Sequence, residues 1–478
     1  MQVRASLWFL ICSFLQKGIS MITTPVFTRI MSTSDYGQYG VFNSWYGIIS
    51  IIVALGLTGG VNTQGLVKFD KERKNFSSSL QGLTASLIIG WLLVYLVSSG
   101  FWNALFQLNT VQMLAMFIII WTTAVFGFWA NEQRVNYSYN ALVIVTLISS
   151  VLKPVIEIAL VLYSNDKVTA RIIGWAIADV LTFSWMFVLQ LKEGRTFFSK
   201  KFWIYALKFN IPLVPHYLSQ TVLNSADRIM IECMVGSSES GIYNLAYSLS
   251  LILGFFNTAL SQTISPWMYQ KIKDNKSADI APIAYTTLIL IAIVNLFLVL
   301  LAPEAVAIFA PQEYFEAIWI IPPVVMSVYF MYAYDLFAKY AFYYEKTKVI
   351  MIASILAALA NVILNYFSIK QCGYIAAGYT TLFCFIIYSI AHYLFMCKVC
   401  KDCCNSKCPY ETKKVLLITI PFLVAGFVIM CTYSHPTIRY GLIVVAILIA
   451  GIMRNKIICA TISIINIKNS SKKVIVQE

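Results

Sequence analysis

The chain has 478 residues, of which 59% are hydrophobic and only 12% are charged, and its mean hydropathy is +0.75. A soluble protein of this length could not bury so much apolar surface, so the composition excludes a soluble globular chain. The formal charge of +14 is explained by Lys and Arg side chains that face an anionic lipid leaflet, and it requires no nucleic acid partner.

Apolar stretches recur about fourteen times along the chain, and each is close to the roughly 20 residues that a helix needs to cross a bilayer. The sequence therefore predicts an all-α polytopic membrane protein with about 14 transmembrane helices. Its loops leave no room for a soluble catalytic domain. The predicted spans are residues 6–28, 39–60, 80–101, 111–130, 141–163, 171–191, 203–226, 241–263, 283–302, 318–338, 349–368, 374–396, 415–433 and 440–460.

The connections between the predicted spans alternate in charge. Of the 35 Lys and Arg residues, 27 fall on the side that holds the N-terminus and 6 on the opposite side. The other two, Lys17 and Lys153, lie inside predicted spans. The positive-inside rule therefore predicts a multi-pass protein with both termini in the cytoplasm.

The first and seventh spans repeat each other at an offset of 199 residues, which pairs Arg29–Met31 with Arg228–Met230. Each is followed by a similar entry to the next helix, Gly37–Tyr39 in one half and Gly241–Tyr243 in the other. This pattern predicts a parallel repeat of two six-helix lobes, and chance similarity is the alternative. The predicted domains are a lobe at 1–200, a lobe at 201–400, and a third part at 401–478. That third part holds a cysteine-rich cytoplasmic loop, an extra helix pair and a basic tail.

Both repeated segments also carry the motifs of a known family. The motif residues are Lys17–Gly18, Pro25, Thr28–Arg29, Ser34–Gly37 and Tyr39–Gly40 in the first half, and Ser225–Met230, Gly236, Gly241–Tyr243 and Ala246–Tyr247 in the second. Over roughly residues 1–400 the chain resembles the O-antigen and capsule flippases (the Wzx group) of the multidrug/oligosaccharidyl-lipid/polysaccharide exporter superfamily.

The resemblance implies two lobes around a cavity that opens alternately to either side of the bacterial cytoplasmic membrane. The implied cargo is a polyprenyl-diphosphate-linked oligosaccharide, such as an O-antigen or capsule repeat unit, which moves to the outer leaflet. Multidrug exporters and lipid II flippases share this scaffold and are the nearest alternatives. A membrane glycan polymerase or glycosyltransferase is the alternative from another class, but the outer loops offer few acidic groups for catalysis.

A polar stripe on the first span surrounds Lys17, which lies near the middle of the bilayer. Charges at this depth are expensive and usually face a bundle interior or a wet cavity. Lys17 is therefore expected to bind the diphosphate or an acidic sugar of the cargo, and plain helix packing through Ser and Thr is the alternative. The neighbours that follow helical spacing and are expected to line the cavity are Ser13, Ser20 and Thr24.

The seventh span repeats this design around His216, which aligns with Lys17 under the repeat. His216 is expected to contact substrate, and a simple packing role is the alternative. The predicted cavity-lining residues of this span are Ser219, Gln220, Asn224 and Asp227. Pro212 and Pro215 are expected to kink the helix.

Three further charges lie inside predicted spans. Lys153 is expected to contact substrate at the depth of Lys17, while Glu157 and Asp179 lie at matched height on neighbouring helices. These two acids are expected to take up a coupling proton or cation, and neutralisation of Glu157 by Lys153 is the alternative. Arg29 and Arg228 lie at the outer ends of the first and seventh spans. They are expected to form an exit gate for an anionic cargo, and structural tethering is the alternative.

Two other clusters are interpreted as structural. Asp335 and Lys339 lie four residues apart near the cytoplasmic end of a span, which indicates a plain interfacial ion pair. The cysteines at 397–408 lie in a loop predicted to be cytoplasmic, so we expect reduced thiols rather than disulfides. A zinc site there is the alternative. No Walker-type phosphate loop occurs, so direct ATP hydrolysis is not expected. The sequence predicts neither a cofactor nor a resident metal.

Overall fold

The computed structural model describes residues 21–136, 138–274, 276–404 and 408–452, together with residues 15, 18, 19 and 454. Within these residues the regular structure is helical, and no strand occurs. The α-helices are α1 (21–30), α2 (Thr33–Ala54), α3 (Gly60–Lys68), α4 (Arg73–Val97), α5 (Ser99–Phe106), α6 (Thr110–Val135), α7 (Tyr139–Tyr163), α8 (Lys167–Gly194), α9 (Lys200–Asn210), α10 (Val214–Met234), α11 (Ser237–Lys273), α12 (Ile280–Leu300), α13 (Ala302–Phe309), α14 (Ile321–Tyr343), α15 (Thr347–Cys372), α16 (Ala376–Cys404), α17 (Thr412–Cys431) and α18 (Pro436–Ile452).

The predicted fold class is confirmed: the chain is an all-α polytopic membrane protein. In the part of the chain that the structure describes, nine segments are long and apolar enough to cross a membrane by themselves. They correspond to α4, α6, α7, α8, α12, α14, α15, α16 and α17. Long helices with more polar residues, such as α2, α10 and α11, occupy the positions of the other predicted spans.

The helices form two compact units, Met1–Gly241 and Ile242–Glu478. In the first unit α8 packs along α6 and α7, and α10 packs along α2. In the second unit α14 packs along α16 and α12, and α17 packs along α12. The predicted boundary at residue 200 derives from the sequence repeat and stays a prediction.

The seventh span differs from its predicted position at 203–226. Instead, α9 (Lys200–Asn210) and a short 3-10 turn precede α10, which begins at Val214 and continues to Met234. Pro212 and Pro215 lie in the first turns of these elements, where a missing N–H costs no helical hydrogen bond. The regular α-helix is therefore interrupted at the two prolines, inside the predicted span, and the expected kink there stays a prediction.

Two glycines set a close crossing between the first turns of α2 and α11. A Cβ atom on Gly37 would collide with the carbonyl oxygen of Ser237, and a Cβ on Gly241 would collide with that of Thr33. The Thr33 hydroxyl also donates to Ser238 Oγ at 3.2 Å. The two repeated Gly-x-Tyr entries are thus the points where these helices touch.

The cysteine-rich segment differs from the expectation of a reduced loop. Helix α16 continues to Cys404, two turns beyond the predicted end, and the short connection to α17 brings Cys408 back beside it. Cys397 and Cys408 form a disulfide, with their Cα atoms 4.6 Å apart. Among the described residues no three His, Cys, Asp or Glu side chains are grouped to hold a metal ion.

Candidate functional site

The site in the first unit is built on the hairpin of α7 and α8. Asp166 caps α8 by accepting a hydrogen bond from the Thr169 backbone N–H at 2.9 Å, so the two helices are joined by a tight turn. Gly174 permits close packing, because a Cβ there would lie only 2.8 Å from Glu157 Cα. The antiparallel geometry therefore brings the charges of α7 beside those of α8.

Glu157 and Arg171 form a buried ion pair across this hairpin. Glu157 Oε2 lies 3.4 Å from Arg171 Nε, and the two residues are only 3% and 9% exposed. The Arg171 guanidinium also lies between two aromatic rings, 3.6 Å from the centroid of Phe27 and 3.7 Å from that of Tyr39. Arg171 thus joins α1, α2, α7 and α8 through one side chain.

A second charged group lies one to two turns further along the same hairpin. Lys153 Nζ lies 3.5 Å from the centre of the Trp175 ring, and the Trp175 indole N–H donates to Asp179 Oδ2 at 2.9 Å. Tyr46 of α2 packs edge-on against the same indole, with ring centroids 5.0 Å apart. Trp175 therefore stands between a base and an acid and contacts both.

The structure thus brings together three of the residues predicted from the sequence: Lys153, Glu157 and Asp179. It adds Arg171 and Trp175, which the sequence reasoning did not select. Arg171 is one of the six Lys and Arg residues that the charge pattern places on the side opposite the N-terminus, although it lies about as far from the turn as Glu157 does. Because Glu157 and Arg171 lie at similar distances on either side of a short turn, the sequence could have predicted that they pair.

The predicted residues of α10 lie along one helix, and two of them form hydrogen bonds within it. Ser219 Oγ donates to the Pro215 carbonyl, and Asn224 Nδ2 donates to the Gln220 carbonyl, both at 2.7 Å. His216 is half-buried, whereas Asp227 is buried.

Arg228 connects α10 to α2. Its Nε donates to Ser44 Oγ at 2.9 Å, and its Nη2 donates to the Asn224 carbonyl at 2.7 Å. The side chain is buried rather than open to the outer surface, a position that fits the tether among the two alternatives for this residue.

The first predicted span is only partly described. Thr24 is half-buried, and Arg29 is exposed with its Nη1 donating to the Pro25 carbonyl at 2.9 Å. Ser13, Lys17 and Ser20 lie outside the described residues, so their expected roles stay predictions.

In the second unit the predicted interfacial ion pair is more buried than expected. Lys339 is 4% exposed, and its ammonium donates to Asp335 Oδ2 and to Ser261 Oγ, each at 2.8 Å. The Ser261 hydroxyl in turn donates to Asp335 at 2.7 Å. The predicted ion pair is therefore present, and Ser261 from α11 extends it into an inter-helix network.

Comparison with known proteins identifies the family of the chain. Residues 3–271 match the family described as polysaccharide biosynthesis protein. An Lsg locus protein of Haemophilus influenzae is 23% identical over 378 residues, covering 75% of this chain and 88% of the relative.

Two solved structures share the fold. The lipid II flippase MurJ in an inward closed conformation superposes with a TM-score of 0.72 at 16% identity, covering 94% of this chain and all of that one. An inward-facing multidrug resistance MATE transporter of the MOP superfamily has a TM-score of 0.62 at 12% identity, covering 80% of this chain and 93% of that one.

Proposed function

Because the chain belongs to the polysaccharide biosynthesis protein family, we propose that it is a flippase for a polyprenyl-diphosphate-linked oligosaccharide. The observation that carries this proposal is the family match over more than half of the chain, on a fold shared with a lipid II flippase. The cargo would be an O-antigen or capsule repeat unit that crosses the bacterial cytoplasmic membrane by alternating access, with both termini in the cytoplasm. The protein would move this lipid without altering it chemically.

The charges within the membrane support an anionic cargo. Lys153 is a base at the hairpin of α7 and α8, and its ammonium rests on the face of Trp175. A Lys ammonium binds phosphate as a point charge. We assign substrate contacts to Lys17, Arg29, Lys153, His216 and Arg228.

The acids of the same hairpin would supply coupling. Glu157 and Asp179 are both buried and each is held by a partner, Arg171 or Trp175. Uptake of a proton or cation by either acid would weaken its bond to that partner and shift the hairpin. Export in a Glu157→Gln/Asp179→Asn double variant should therefore fall at equal protein level, and unchanged export would dismiss this coupling site.

The flippase proposal is tested by a deletion strain complemented with wild type or with Lys17→Ala. The deletion strain should lose surface glycan and accumulate lipid-linked oligosaccharide on the inner leaflet. Only the wild-type protein should restore the surface glycan fully. Normal glycan in the deletion strain would contradict the proposed cargo and favour a drug or another lipid. Full rescue by Lys17→Ala would remove only the role of that residue.

A further inference from the structure

A buried carboxylate at the far end of the first unit takes no part in the site described above. Glu132 lies three residues before the end of α6 and is only 8% exposed. The ion pairs among the described residues include no base within 4 Å of it. It also occupies the last turn of a helix, where the backbone carbonyls disfavour a negative charge.

Neutral amides from two other helices complete its surroundings. Gln190 of α8 donates from Nε2 to Glu132 Oε2 at 2.6 Å, and Gln81 of α4 donates from Nε2 to Gln190 Oε1 at 2.7 Å. The same Gln81 nitrogen lies 3.4 Å from the Val125 carbonyl. Both glutamines are fully buried, so a chain of two amides runs from α4 through α8 to the acid on α6.

The other polar and charged groups near the acid do not neutralise it. Lys74 of α4 and Glu193 of α8 act on the acid through their charges, but they pair with each other at 3.3 Å on the exposed surface. A buried carboxylate that accepts from a neutral amide still carries the free-energy cost of a buried charge. Binding of a proton or of a metal cation would remove that cost.

We infer that Glu132, with Gln190 and Gln81, forms a proton-binding site at this end of the first unit. The geometry favours a proton over a metal cation, because Gln190 Oε1 already accepts from Gln81 and Gln190 faces the carboxylate with its NH₂ group rather than with an oxygen. A cation such as Na⁺ requires several oxygen ligands at once. The assignment concerns proton binding alone and holds whether or not the cargo is a lipid-linked glycan.

Protonation of Glu132 would reverse the direction of the hydrogen bonds along the chain of two amides. An ionised Glu132 can only accept, as it does from Gln190, whereas the protonated acid also carries an O–H donor, for which Gln190 Oε1 is the acceptor once the amide turns. Gln190 then turns its NH₂ toward Gln81, which must present its own oxygen and give up the Val125 carbonyl. One proton on α6 thus changes hydrogen bonds on α8 and α4, which gives the site a route to the packing of three helices.

Infrared difference spectra between neutral and acid pH test this assignment on the purified full chain in liposomes. Wild type should show the C=O band of a buried protonated carboxyl group, and Glu132→Gln should lack it. Glu193→Gln is the matched control, because it removes an exposed acid at the same end of the unit, and it should keep the band. Gln190→Met leaves the acid in place but removes its neighbour, and should shift the band to higher frequency.

Three outcomes would overturn the assignment. Superimposable spectra of wild type and Glu132→Gln would show that this carboxyl group binds no proton between the two pH values. If Glu132→Gln fails to fold, an unshifted band in Gln190→Met would show that the protonated carboxyl group is not the one beside Gln190, which also overturns the assignment. A spectral change that follows Na⁺ concentration at constant pH, rather than pH, would replace the proton with a metal cation. None of these readouts requires the glycan.

Discussion

The pair of Glu157 and Arg171 should contribute far more to stability than an ion pair on the surface of the same unit. The Arg171→Met substitution would remove the ion-pair partner of the buried Glu157 carboxylate, and breaking a buried pair from one side costs about 3–5 kcal/mol. It would also remove two aromatic contacts at 3.6 and 3.7 Å, worth roughly 0.5–2 kcal/mol each. We therefore expect the free energy of unfolding to fall by roughly 4 kcal/mol or more.

The double variant Glu157→Gln/Arg171→Met separates these two terms. It removes both charges together, so only the two aromatic contacts are lost and the cost should fall to roughly 1–4 kcal/mol. The two single substitutions together should therefore cost at least about 3 kcal/mol more than the double variant, which is the charge term of Arg171→Met alone. The matched control is Lys74→Met, which breaks an exposed pair at 3.3 Å and should cost under about 1 kcal/mol.

The assay is reversible unfolding in mixed micelles, followed by tryptophan fluorescence in wild type, both single variants, the double variant and the control. The reasoning is refuted if Arg171→Met costs no more than Lys74→Met. It is also refuted if the two single substitutions simply add in the double variant, because an interaction between the charges requires non-additivity.

Two smaller predictions concern helix contacts and the connection that precedes α12. Gly37→Ala should destabilise the protein by about 1–3 kcal/mol or prevent its accumulation, because the new methyl group meets the Ser237 carbonyl. Gly90→Ala meets nothing within 4 Å and should be tolerated; equal yields of the two variants would contradict this packing. The ion pair with Lys271 lowers the pKa of Asp279, so this contact stabilises the fold at neutral pH and is lost as pH falls through that pKa. Carboxyl NMR titration should show the Asp279 pKa rising in Lys271→Ala, and an unchanged value would rule out the pair.

The number and order of the membrane helices could be predicted from the sequence because hydropathy and helix length carry that information directly. Helix ends were harder to predict. The sequence predicts one span across Pro212 and Pro215, whereas the structure divides it into α9 and α10 at these prolines. The hydropathy of α9 continues into α10 without a break, so this division is not visible in the sequence. The end of α16 was missed since its last two turns are polar but remain helical.

The candidate site could be predicted only in part. An unusual residue inside a membrane span is visible in a sequence, so Lys153, Glu157 and Asp179 were found. Partners across helices are not visible unless the turn between them is considered, which is why Arg171 was placed on the outer surface. The amide chain to Glu132 was also missed, because a glutamine in a sequence does not indicate that packing will bury it beside an acid.

The most direct test of the proposed function uses purified protein in liposomes that contain a fluorescent polyprenyl-diphosphate oligosaccharide. A membrane-impermeant reagent that destroys the fluorophore in the outer leaflet reports the fraction that has crossed. The account predicts that the protein makes nearly all of the labelled lipid accessible, whereas empty liposomes protect the inner half. Protein that transports a cationic drug but leaves this lipid in place would contradict the proposed function.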